Sequence, residues 1–394
     1  MPLRPPAGFI SAFYDPLNNP NAPTIGTATA GDESASVAFT APANVGGSAI
    51  SSYSALSTPG GVVASAASSP ISVTGLSNGT AYTFAVWATN TYGPSAFSAA
   101  SGSVTPVGPI GVFTTGGSME QISISSTGNA TDFGNLVTSV DRLAGCGSAT
   151  RGLFAGGGGP SSAIQYITFS SAGNSISFGD LTVARSYLQG ASNSTRGLFG
   201  GGTTTSNTQV NVIDFVTIAS TGNATDFGDT TVSHGSNSGD AVASTTRAVF
   251  GGGDTALNTK TNVMDFVTIA STGNATDFGD LIQPYAALAG SSNSTRGIWG
   301  GGYPDPFTNV INYITIASTG NAEDFGDLTS NRAGLATMAS STRCVFACGN
   351  ESGAGATNRI DYVTISSTGN ATDFGDAIDA ATDTAGCSNG HGGL

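Results

Sequence analysis

The phrase Ala-Ser-Thr-Gly-Asn-Ala-Thr-Asp-Phe-Gly-Asp occupies Ala219–Asp229 and returns unchanged at Ala270–Asp280. Carboxylates three residues apart among hydroxyls and carbonyls are hard oxygen donors, so Asp226 with Asp229, and Asp277 with Asp280, could serve calcium. Two of the six copies weaken that chemistry, because Ser177 replaces the first Asp and Asn135 the second. A turn tolerates such exchanges, since each replacement still accepts a hydrogen bond, whereas a calcium site loses charge. The aspartates therefore read as turn caps, with calcium as the alternative. No cofactor and no resident metal is expected.

Arginine opens the second strand of five units, at Arg151, Arg196, Arg247, Arg296 and Arg343. The hairpin carrying each arginine and the turn carrying each aspartate should emerge on one face. That predicts pairs of Arg196 with Asp226, Arg247 with Asp277, Arg296 with Asp324, and Arg343 with Asp373. On a partly exposed rim such a pair contributes about 0–1 kcal/mol, a structural role. His234 and His391 have no metal-ligand spacing, and no nucleophile elbow, phosphate loop or matched carboxylate pair stands out. The chain reads as non-enzymatic. Asn-x-Thr triplets at Asn129, Asn223, Asn274 and Asn370 match glycosylation acceptors, but they recur only because the phrase does.

Comparing the units locates a candidate binding face. The Ser-Asn-Ser-Thr-Arg and Ala-Ser-Thr-Gly-Asn turns are nearly uniform, while the connections between second and third strands diverge in length and chemistry. Variable loops on a fixed scaffold are where recognition is usually placed. Tyr303, Asp305 and Phe307, with nearby Tyr285, form the best patch: aromatic surface beside a carboxylate suits a sugar ring.

These residues must be positioned by strands. The chain has 394 residues, 57 of them glycine, only 9% charged, with Lys260 as its sole lysine. That is long enough for two or three cored domains, and the composition is that of an all-β, turn-rich protein. A formal charge of −14 repels phosphate backbones and anionic membrane surfaces, so neither nucleic acid nor membrane is an expected partner. No apolar run reaches the roughly 20 residues needed to cross a bilayer. The opening stretch lacks the apolar core of a signal peptide. Cys344 and Cys348, four apart on one expected strand, would lie about 13 Å apart, beyond bridging distance. With Cys146 and Cys387 they read as small core fillers.

Residues 1–21 form a Pro- and Asn-rich arm that reads either as a flexible leader or as a segment that orders against a neighbouring subunit, with Phe9, Phe13 and Tyr14, costly to leave in water, as the anchor candidates. Residues 22–106 alternate short strands with Gly, Pro and Asn turns, the pattern of a β-sandwich. Residues 107–394 hold the repeats. The asparagines Asn129, Asn174, Asn223, Asn274, Asn321 and Asn370 are spaced 45, 49, 51, 47 and 49 residues apart, a period typical of a β-propeller. The repeat region opens on a second strand and ends on a first strand, which predicts that the C-terminal segment pairs beside Gly111–Gly117. Six blades, closed without an exposed sheet edge, are expected.

Leu76 and Tyr82, Ala88 with Asn90, and Gly93 with Ser95 carry a resemblance to fibronectin type III domains, with Phe39 where that family usually has Trp. The resemblance implies a tyrosine corner at Tyr82, its hydroxyl returning to upstream backbone. The repeats resemble kelch-type units, also seen in the galactose oxidase propeller, through Gly200–Gly202, Gly251–Gly253 and the third-strand aromatics Phe215, Tyr313 and Tyr362. Phe227, Phe278, Phe325 and Phe374 depart from that family's closing Trp. The copper-radical constellation of galactose oxidase is not found. The order of arm, sandwich and Ser/Thr/Gly/Asn-rich propeller is similar to virion appendage proteins of tailed, especially marine, bacteriophages. That resemblance implies a virion-surface or tail-fibre protein in multiple copies. Other virion proteins would hold its N-terminal part, and the propeller would meet a host-surface glycan or protein. A purely structural decoration or collar component, and an extracellular bacterial adhesin, are the alternatives.

Overall fold

The computed structural model describes residues 17–235, 241–256, 258–304 and 306–394. The anchor candidates Phe9, Phe13 and Tyr14, and Asp305 of the aromatic patch, lie outside them. The described residues are all-β, without a helix. They divide into two compact units, one ending at Gly108 and the other running from Pro109 to Leu394.

In the first unit two antiparallel sheets enclose one apolar core. One sheet pairs Thr24–Gly31 with Ser34–Thr40 and that strand with Ile71–Thr74; the other takes Val63–Ala66, Ser52–Thr58, Thr83–Asn90 and Gly93–Pro94 in that order. Strand periodicity of two sends Phe84, Val86 and Ala88 inward from one strand to meet Val37, Phe39 and Ile71 from the opposite sheet. The Tyr82 hydroxyl accepts the backbone N–H of Ser77 at 3.0 Å, tying the strand start to the preceding turn. Beyond Gly93 the chain changes period. Ser95, Ser98 and Ser101 each donate a backbone N–H to Ala88, Val86 and Phe84, and each hydroxyl accepts the N–H of that same residue at 2.9–3.0 Å. A serine every third residue thus satisfies both backbone groups of a strand that would otherwise end the sheet half-paired.

Among the described residues, the second unit contains six antiparallel sheets with four-stranded cores. The first sheet consists of Ile110–Thr115, Ser118–Ser123, Thr131–Asn135 and, from far along the chain, Gly386–Ser388. The last of these pairs Gly386 with Phe113, Cys387 with Val112 and Ser388 with Gly111. The four core strands of the second to sixth sheets follow chain order, starting at Leu143, Gln189, Val242, Ala289 and Ala336, and short extra strands join the second, fourth and sixth.

The first strands of the six sheets touch one another in a closed cycle, and Gly386–Ser388 is the member contributed to the first sheet. They pass so closely that a Cβ on Gly190 would strike the Gly145 carbonyl, one on Gly145 that of Gly386, and one on Gly386 that of Thr337. Glycine is needed there for space, whatever the backbone angles. Farther out, apolar side chains of neighbouring sheets interleave. Leu153, Ile164 and Phe178 of the second sheet pack with Phe199, Val216 and Ile218 of the third. Phe113 and Ile122 of the first sheet pack with Val345, Ile360 and Phe374 of the sixth. All four cysteines are buried, and burial pushes the Cys348 thiol up to about 12.

Candidate functional site

The repeated phrase builds the boundary between sheets. In the turn joining the third and fourth strands, Asn223 Oδ1 accepts the N–H of Asp180 in the preceding sheet at 3.1 Å. Beside it Gly222 donates to the Phe178 carbonyl and Ala224 to that of Asp180. The same side-chain acceptor recurs at Asn174, Asn274, Asn321 and Asn370. It recurs also at Asn129, which takes the N–H of Asp376 from the sixth sheet. The position occupied by Asp180, Asp229, Asp280, Asp327 and Asp376 therefore contributes its backbone to the boundary. That is why Asn135 serves equally well there: its N–H makes the same bond to Asn174.

The predicted arginine–aspartate pairs do not form. Among the described residues no ion pair joins Arg196 to Asp226, Arg247 to Asp277, Arg296 to Asp324, or Arg343 to Asp373. The alternation that buries Phe227, Phe278, Phe325 and Phe374 turns those four aspartates outward, where they are exposed. Each arginine instead lies over the third-strand aromatic of its own sheet. The guanidinium-to-centroid distances are 4.9 Å for Arg196 and Phe215, 4.8 Å for Arg247 and Phe266, 5.0 Å for Arg296 and Tyr313, and 4.7 Å for Arg343 and Tyr362. Its Nη1 then donates to a carbonyl at the end of the next sheet's third strand: Ile269, Ala317, Ile365 and Ile124 respectively. Arg151 does the same over Tyr166 with Ile218. Cation–π attraction plus an otherwise unpaired carbonyl outcompetes a carboxylate that solvent already satisfies.

A second row of polar side chains is fully interior. Glu120, Gln165, Asp214, Asp265, Asn312 and Asp361 hold equivalent third-strand positions, all at most 2% exposed. Each accepts a backbone N–H from the end of the preceding sheet's fourth strand: Ile378, Thr138, Thr182, Thr231, Ile282 and Thr329 respectively. Three of the acids also meet a buried cation-forming partner. Arg185 Nη2 lies 2.6 Å from Asp214, and Arg332 Nη2 lies 2.5 Å from Asp361. His234 bonds to Asp265 through Nε2 at 2.9 Å and to the Gly252 carbonyl through Nδ1 at 2.6 Å. Burial lowers both arginine values while the aspartates pull them back up. These residues escape a sequence reading built on exposed chemistry. Their signal is a lone acid inside an apolar strand, as in Val-Ile-Asp-Phe-Val, with Arg or His about thirty residues earlier.

Tyr285 occupies the station of Arg185 in the fourth sheet and lies beside Asn312, with burial raising its phenol. It is a core residue, 0% exposed, and so is not part of an accessible aromatic patch. Proximity in sequence suggested the patch, but the strand register turns this ring inward. Tyr303 and Phe307 are partly exposed and meet edge to face at 5.3 Å. Lys260 Nζ stands 4.2 Å from the Tyr303 ring centre. This loop cluster joins two aromatic rings and a cation at the end of the sheets that carries the variable connections.

On the axis of the first strands a space of about 30 Å³ remains, lined by Gly145, Gly190, Ser192, Thr337 and His391. That volume admits about one water. The His391 Nε2 donates to the Gly147 carbonyl at 2.9 Å and its Nδ1 accepts the Gly393 N–H at 3.2 Å, the pattern of a neutral imidazole. Among the described residues, no group of three or more His, Cys, Asp or Glu is placed to hold a metal ion. Compared with known proteins, the chain matches no family model and no curated protein.

Proposed function

We propose that this chain is a non-enzymatic adhesion and display protein of a virion surface or tail fibre. In this reading a fibronectin type III-like sandwich precedes a six-bladed, kelch-like β-propeller that meets a host-surface glycan or protein. The observation that carries it is the division of labour within the repeats. The polar groups buried between the sheets bond from one sheet to the next, while the aromatic pair Tyr303–Phe307 stays at the surface on a loop of irregular sequence. A rigid platform with adaptable loops is an arrangement suited to recognition. The virion setting is supported by the resemblance of arm, sandwich and repeats to tailed-phage appendages, and by the strongly acidic, lysine-poor composition.

The reading is tested by binding of the full chain to an array of bacterial surface glycans. Tyr303→Ala and Phe307→Ala are expected to weaken that binding at least tenfold while leaving the unfolding temperature within 2 °C, roughly the shift of a surface change below 0.5 kcal/mol. Gold-labelled antibody should mark the particle surface in electron micrographs. A label confined to the particle interior, or binding of the full chain to none of the glycans, would contradict the proposal.

A further inference from the structure

We infer that the turns joining third and fourth strands form a set of equivalent binding sites for single rings of neutral saccharides. The inference rests on the adhesion reading for its biological sense, but uses the end of the sheets opposite the Tyr303–Phe307 loop. Beside Phe215, a cavity of about 150 Å³ is lined by Thr217, Ser220, Asn223 and Thr225. Its counterpart beside Tyr362 measures about 160 Å³ and presents Thr364, Ser367, Asn370 and Thr372 in the same places. The copy beside Tyr166 has Ala172 and Ile176 where the others carry threonine, and shrinks to about 110 Å³.

The chemistry lining these nooks exceeds what the fold consumes. The sheet boundary uses Asn223 Oδ1 and the backbone of Gly222 and Ala224. The hydroxyls of Thr217, Ser220 and Thr225 and the amide nitrogen of Asn223 are left on exposed residues, without a side-chain hydrogen bond among the described residues. Phe215 is held edge-on to Phe227 at 5.8 Å and braced by Arg196, so the ring is a fixed wall. An aromatic wall with neutral hydroxyl and amide groups around it matches a pyranose, which has an apolar C–H face and hydroxyls at its edge. The volumes fall below the roughly 300–1,000 Å³ of drug-sized sites, which limits each nook to one ring. The negative net charge disfavours polyanions. Weak single sites repeated on one rigid scaffold gain affinity for polymers through avidity.

Three neutral polysaccharides (mannan, dextran and galactan) are immobilised with dextran sulfate as the charged comparison, and the full chain is passed over each. At least one neutral polymer is expected to bind, in preference to dextran sulfate. Thr217→Arg with Thr364→Arg should fill two nooks and weaken that binding by about tenfold or more, with unchanged thermal unfolding. Should the arginines disturb folding, Thr217→Val with Thr364→Val removes only hydroxyls and is expected to weaken binding about threefold. Binding to none of the neutral polymers, preference for dextran sulfate, or undiminished binding by a folded double variant would each overturn the inference. Loss of polymer binding only in Tyr303→Ala and Phe307→Ala would also overturn it while leaving the adhesion reading intact. Loss only in the threonine variants would support the nooks and remove the loop patch from the adhesion reading.

Discussion

At the scale of single residues, the shortest ion pairs among the described residues lie inside the protein. Arg185 and Asp214 are both fully buried and 2.6 Å apart, with the Arg185 Nη1 also donating to the Gly201 and Val212 carbonyls. Removing one partner strands the other, so Arg185→Met is expected to cost about 3–5 kcal/mol of unfolding free energy, whereas adding Asp214→Asn, which removes the stranded charge and keeps an acceptor for the Thr182 N–H, should recover part of it. Denaturant titration of the four combinations reads this directly, and additive losses would contradict the pairing. His391 sets a pH response. Burial lowers its value below the ordinary 6.5, so the unfolded chain takes up the proton first. Its contribution to stability is complete above about pH 6.5 and is lost progressively as the pH falls below that value. His391→Gln should flatten this part of the stability–pH curve, and a curve unchanged by the substitution would contradict the lowered value. Residue-level chemistry was the least legible part of the sequence. Arg196 and Asp226 looked complementary, but pairing depends on which way a strand alternates and on what else a guanidinium can reach. Arg185 and Asp214, twenty-nine residues apart, become neighbours only through the sheet register.

At the scale of elements, the asparagine period revealed the repeating unit because each sheet must meet an equivalent neighbour through the same turn. The Gly386–Ser388 strand was legible for a related reason: the repeat region opened on a strand lacking its partner. The serine ladder of the first unit was not read, since Ser95, Ser98 and Ser101 follow a period of three and carry no alternation of apolar residues. The crowding of the first strands also left only small residues as its trace. It gives a sharp expectation for Gly190→Ala. A methyl there meets the Gly145 carbonyl, and overpacking should cost about 1–3 kcal/mol in denaturant unfolding. A loss below about 0.5 kcal/mol, the range of ordinary surface changes, would show that these strands stand farther apart.

At the scale of the whole second unit, stability comes from repetition of one boundary. Each sheet gives the preceding one a turn asparagine, two backbone bonds and a buried acceptor. The bonds from Ile378 to Glu120 and from Asp376 to Asn129 make the sixth and first sheets neighbours like any others. A closed cycle of sheets leaves no weak edge from which opening can start. The proposed propeller, and with it a platform that holds recognition loops at one end and sugar-sized nooks at the other, depends on that cycle. The measurement that reaches it most directly is residue-resolved amide hydrogen exchange. Gly128 and Ala130, which donate to Phe374 and Asp376 across the joint of first and sixth sheets, have as internal standards Gly222 and Ala224, which donate to Phe178 and Asp180 between the second and third. Exchange of all four amides at similar, strongly slowed rates is the predicted result. Rapid exchange at Gly128 and Ala130 while Gly222 and Ala224 remain protected would contradict a closed cycle.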